Sequence, residues 1–139
     1  AFYSMEGSAT LQCDLSIKLS PRHFRRWVLP ALEEEAALVK HALYHWDGFG
    51  ALTHWEDLVH CAGLHTLSFV PGDGHGDPAD HVELLRKIQE SGKSIHVWGT
   101  PQQCQFMHRH LMPERVFYCT QAASQPEAER LLDWFTENT

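Results

Sequence analysis

The chain has no apolar run near the ~20 residues needed to span a bilayer, and no basic-then-apolar leader at its start. A membrane-embedded protein is therefore not expected. Its four cysteines, Cys13, Cys61, Cys104 and Cys119, lie far apart with no CxxC pair. A disulfide scaffold is not indicated, and a reduced, cytoplasmic protein is the expectation. Positive charge is scarce: 11 Lys and Arg face 18 Asp and Glu, a net charge of −7. The whole excess falls after residue 40. That balance argues against nucleic acid and anionic membranes as partners. There is no phosphate loop, no dinucleotide fingerprint and no Ser-His-Asp pattern, and Gly48-Phe49-Gly50 is too short to cradle a phosphate. Low-complexity tracts and Gly/Ser linkers are also missing, so residues 1–139 read as one domain.

What is present suits a packed core. Of 139 residues, 43% are hydrophobic, with five Trp and seven Phe. Residues 11–19 alternate apolar and polar and read as a strand. Ser20-Pro21 then supplies an N-cap and a first-turn proline. Phe24, Trp27 and Val28 form an apolar stripe on that helix, and Pro30 should break it or begin a second one. Residues 42–46 form a short apolar run that stops at Asp47-Gly48. A helix is expected over 51–61, a strand over 66–70, a helix over 80–91 closed by Gly92, and a strand over 94–98. A helix over 102–110, a strand over 116–119 and a last helix from Ser124 complete the chain. Ser124 and Glu127 have capping-box spacing. Strand, loop and helix thus repeat four to five times, the pattern of a parallel α/β sheet with right-handed crossovers.

In such sheets ligands bind at the carboxyl ends of the strands. His45 and Asp47, two residues apart on a strand, share a face and can reach one ion; the bland alternative is a loop-bonded histidine and a helix-capping aspartate. Asp14 is costly within an apolar strand unless it is paired or serves a site. His96 shares a face with Ser94 and Trp98, and is either a pocket-lining residue or a satisfied core histidine. Asp73 and His75, in the Gly-rich loop Pro71-Gly72-Asp73-Gly74 and just beyond it, either contact a ligand or merely cap. His54, His60, His65, His81, His108 and His110 read as surface residues. Lys18, Arg22, Arg25 and Arg26 make a basic cluster that reads mainly as a solvated helix face.

Several short motifs together carry a family likeness. Cys13-Asp14-Leu15-Ser16, Leu19-Ser20-Pro21, Leu29-Pro30, Tyr44-His45-Trp46-Asp47-Gly48-Phe49-Gly50-Ala51-Leu52, Val70-Pro71-Gly72-Asp73-Gly74 and Gly92-Lys93-Ser94 occur in this order. The chain resembles the C-terminal part of the uroporphyrinogen decarboxylase superfamily, and most of all its uncharacterised members. That superfamily also includes zinc-dependent methyltransferases acting with corrinoid proteins.

The resemblance implies a (β/α)8 barrel. A whole barrel takes ~250 residues, so this chain is expected to form half of a TIM-like barrel. It further implies methyl transfer to a metal-activated nucleophile, with Zn²⁺ held by His45, Asp47 and the late cysteine Cys119. Asp47 stands where the methyltransferases carry a second thiolate, which makes the donor set harder. Asp14 and His96 are the catalytic candidates, and Gly72 and Asp73 the ligand-binding ones. A small-molecule substrate and a corrinoid protein are the implied partners. A complementary half-barrel, or a second copy of the chain, would cover the open sheet edges. A tetrapyrrole-type decarboxylase fragment and a non-catalytic half-barrel binding module are the alternatives.

Overall fold

The computed structural model describes residues 4–139, and residues 1–3 of the expected domain lie outside the described residues. The chain is an α/β protein with one five-stranded, all-parallel sheet: β1 (Ser8–Gln12), β2 (His41–Asp47), β3 (Leu64–Val70), β4 (Ser94–Trp98) and β5 (Val116–Cys119). The strands lie side by side in sequence order. Each right-handed crossover therefore steps in the same direction, which puts every connecting helix on the same face of the sheet. This matches the winding of part of a TIM-like fold.

Strand alternation divides the residues between the two faces. Leu11, Tyr44, Leu67 and Ile95 form one row across β1–β4, and Trp46 and Phe69 pair in another. All are buried in a single core with Phe24, Leu32, Leu58, Leu85, Ile88 and Met107 from the helical layer. The opposite face carries Gln12, His45, Ser68, His96 and Phe117. Phe69 is 1% exposed because it faces the helices.

The first strand is shorter than its alternation suggests. It ends at Gln12, and residues Asp14–Lys18 form a 3-10 turn. Asp14 thus follows the strand instead of sitting inside it. Pro30 does not stop the helix beyond it. The chain runs from α1 (Pro21–His23) through a π-helical turn (Phe24–Val28) into α2 (Leu29–Ala37). The Leu29 N–H donates to the Phe24 carbonyl, five residues back. This wider turn accommodates a residue that has no N–H to give and crowds the carbonyl four residues before it. Ser20 caps α1 as expected, its hydroxyl accepting from the His23 N–H at 3.4 Å.

The later helices are α3 (Trp55–His60), α4 (Val82–Glu90), α5 (Pro101–His108) and α6 (Gln125–Asn138). Thr100 and Gln103 cap α5 reciprocally: the Gln103 N–H donates to Thr100 Oγ1 at 3.2 Å, and the Thr100 N–H to Gln103 Oε1 at 2.7 Å. Thr100→Ala is expected to cost about 1 kcal/mol in urea unfolding. The capping box expected at α6 is not made. Glu127 accepts from the Ala123 N–H, and the Ser124 side chain makes no cap bond.

Two histidines expected on the surface are buried. His54 is 1% exposed, stacks on Phe24 with ring centroids 4.1 Å apart, and bonds the Ser16 carbonyl through Nε2. His108 packs edge-on against Phe135 and lies 3.1 Å from Thr139 Oγ1. No helix among the described residues is long and apolar enough to cross a membrane.

Candidate functional site at the carboxyl ends of β2 to β5

Gln12 pairs with His45, and His45 with Ser68. Thr66 pairs with Ser94 and Leu67 with Ile95, so the next residues, Ser68 and His96, come level. His96 pairs in turn with Phe117. One row of side chains on the face away from the helices therefore crosses all five strands. The next residue up on that face is Asp47 on β2, Trp98 on β4 and Cys119 on β5.

From this row to the next, side-chain contacts form a line. Ser68 Oγ lies 2.8 Å from His96 Nδ1, and His96 Nε2 lies 3.3 Å from Cys119 Sγ. The imidazole is held from both sides as well, stacked on Phe117 at 5.5 Å and edge-on to Trp98 at 5.8 Å between ring centroids. Ser68 is buried, and His96 and Cys119 are half-buried. Burial, followed by neighbouring positive charge including that of His45, holds the His96 pKa below its ordinary value. At neutral pH the ring is therefore uncharged, with one nitrogen able to accept a proton. In the tautomer whose Nδ1–H donates to Ser68 Oγ, the free nitrogen is Nε2, the one facing the thiol.

Cys119 opens onto a groove of about 260 Å³. Residues Trp98–Pro101 form one wall and Cys119–Gln121 the other. The Gly99 N–H donates to the Cys119 carbonyl at 3.1 Å and ties the two walls together. Trp98 is 52% exposed and Phe117 48% exposed, so the face around the thiol is apolar and open.

No family model, curated protein or solved structure matches this chain. The site has to be read from its own geometry.

The residues singled out in the sequence fall as follows. Asp47 and Cys119 end their strands at the same, carboxyl end of the parallel sheet, with His45 one row below. His45 and Asp47 are partly exposed. Between β2 and β5 lie β3 and β4, and three strand spacings of a flat sheet span about 14 Å. Zinc ligands sit ~2.0–2.3 Å from the metal. As arranged here, His45, Asp47 and Cys119 do not fit one ion, and the Cys119 thiol points at His96. No group of three or more His, Cys, Asp or Glu among the described residues is arranged to hold a metal.

Gly72 has a packing role. Its φ of +85° is a conformation that favours glycine, and a Cβ there would lie 3.5 Å from the Gly48 Cα. Gly48, also at positive φ, donates its N–H to the Val70 carbonyl. The two glycines thereby close the β2 and β3 loops together. Asp73 is exposed beyond them, and Asp14 is exposed after β1. In the basic cluster, Arg25 pairs with Asp57 at 2.7 Å across the helix surface. Lys93 lies at the other edge of the sheet, its half-buried ammonium donating to the Cys61 and Leu64 carbonyls. That part of the sequence likeness anchors the start of β3.

Ser68 is the residue that sequence reasoning missed. Its signal was present: it alternates with Leu67 and Phe69 as a small polar residue within an apolar strand.

Proposed function

We propose that this chain is the C-terminal half of a methyltransferase-like barrel and that group transfer takes place at the carboxyl ends of β2 to β5. One observation supports the reading: His45, His96 and Cys119 share the face not covered by helices, next to a groove at the strand ends. A thiol beside a neutral imidazole suits the handling of a soft electrophile. The rest of the barrel would supply the curvature that brings β2 toward β5, and with it a zinc ion shared by His45, Asp47 and Cys119.

The test is zinc titration with elemental analysis of the wild type, His45→Ala and Cys119→Ser, each with and without a complementing N-terminal half. Zinc bound by the completed wild type and lost in both variants is expected. Zinc absent throughout, or bound equally by all three, overturns the metal-assisted reading.

The same proposal sets the partner. Among the described residues β1 pairs only with β2 and β5 only with β4, leaving two edges that a second copy or a complementary half-barrel would cover. Light scattering is expected to show a dimer or larger species. A stable monomer at high concentration that binds no apolar dye would count against it.

A further inference from the structure

We propose that a second copy of this chain docks head to tail against the first, with Arg26 and Trp27 at the β1 end of one copy seated on Glu129 and Leu132 at the β5 end of the other. The inference deepens the partner reading above and rests on it for the open sheet edges. It commits to one occupant and names the contact.

Among the described residues the sheet ends at β1 on one side and at β5 on the other. Strand edges left in this way invite pairing. The helix over each end decides what can approach it. At the β1 end this is the run from α1 into the π-helical turn. Phe24 turns into the core, and Arg25 reaches sideways to Asp57 on α3 at 2.7 Å. His23 and Trp27 therefore fall on the opposite flank, away from α3 and toward the outer edge. There the two rings stack with centroids 4.6 Å apart, and Trp27 is 56% exposed. Arg22 and Arg26 lie exposed beside them, and among the described residues neither has a carboxylate partner.

At the β5 end the helix is α6. Leu131 turns into the core, and Arg130 and Trp134 line a groove shared with Pro101 and Gln105 of α5. Leu132 is thereby left on the flank away from α5, 66% exposed. Glu129, three residues before it, shares that side of the helix. Its exposed carboxylate accepts from Gln125 Nε2 at 2.7 Å.

Charge chooses between the ways two copies can meet. Residues 21–28 carry three arginines and no acid, whereas α6 carries four acids and one arginine. Two β1 ends placed together set arginine against arginine, and two β5 ends set acid against acid. The head-to-tail contact joins opposite charges and covers the two large apolar side chains with each other. Depth agrees as well. Both helical runs start at the carboxyl ends of the strands. Arg26 and Trp27 are five and six residues on from Pro21, and Glu129 and Leu132 four and seven on from Gln125. At 1.5 Å per residue all four lie about 6–11 Å down their helices. Tryptophan and arginine are also the side chains that most often anchor an interface.

The experiment is light scattering of the whole chain over a concentration series, in a chelator so that no zinc bridge stands in for the contact. The wild type is expected to associate. Arg22→Glu with Arg26→Glu in one chain, and Glu129→Arg in another, should each weaken association at least ~10-fold, as should Trp27→Ala. Mixing the two charge variants should restore it, because the reversed β1 end of one then meets the reversed β5 end of the other. All five positions are exposed, so the variants should keep the circular dichroism of the wild type. Trp27→Cys mixed with Leu132→Cys under oxidised glutathione should give a disulfide between positions 27 and 132, read by peptide mapping. A monomeric wild type, charge variants that associate as the wild type does, or a mixture that stays apart overturns the proposal. So does a link between two copies of position 27, or of position 132, in place of the mixed one. None of these outcomes bears on the zinc titration, so failure of this contact and failure of the transfer reading are separate results.

Discussion

Trp46→Ala is expected to destabilise the protein by about 3–5 kcal/mol, the cost of a large aromatic cavity in a core that cannot fully collapse. Trp46 is 0% exposed near the carboxyl end of β2, with its ring 5.2 Å from that of Phe69. Its indole N–H donates to the Ala51 carbonyl at 3.0 Å and so ties the loop after β2 to the strand. Alanine empties the site and leaves that carbonyl without its donor. Trp46→Phe separates the two effects: it keeps most of the volume, loses the hydrogen bond and should cost about 1–2 kcal/mol. Urea unfolding monitored by circular dichroism measures both. A loss below 1 kcal/mol for Trp46→Ala would mean that Trp46 does not hold the core in this way.

Gln89→Leu is the second large effect. Gln89 is 2% exposed on α4, and its amide makes three bonds to the segment that leads into β5. Nε2 donates to the Met112 and Arg115 carbonyls at 2.9 and 3.2 Å, and Oε1 accepts from the Met112 N–H at 2.8 Å. Leucine fills a similar volume and leaves those backbone groups unpaired. A loss of about 3 kcal/mol follows, because an orphaned buried polar group costs ~1–3 kcal/mol and some of these can turn toward water. The damage should be local. Hydrogen exchange is expected to quicken over residues 112–119, while the amides of β2 and β3 keep their relative protection. Unchanged exchange over 112–119 would show that the clamp is not what places β5.

Much of the architecture was legible because it rests on local periodicity. Ile95 and Val97 alternating with Ser94, His96 and Trp98 identify β4 residue for residue, and Gly99-Thr100-Pro101 marks both its end and the start of α5. β1 was overread: alternation continues through Ile17, yet Asp14 begins a 3-10 turn, and periodicity cannot tell a strand from an irregular turn with a similar spacing. His54 and His108 were misplaced because a histidine reads as polar. Their spacing from Ala51 and Leu58, and from Cys104 and Leu111, puts them on inward helix faces all the same.

The sequence by itself determined that this chain is a parallel α/β protein and that Asp47, Gly72 and Cys119 fall at strand ends, since hydrophobic period and turn residues act over a few neighbours. Only the tertiary structure decided which of them meet. His45 and Asp47 are close in sequence, but β3 and β4 separate them from Cys119. Ser68, His96 and Cys119 are 28 and 23 residues apart along the chain and become partners because parallel pairing sets β3, β4 and β5 side by side in register. Register is a long-range property, fixed when the apolar rows of adjacent strands align against one helical layer, and no local pattern in the chain encodes it.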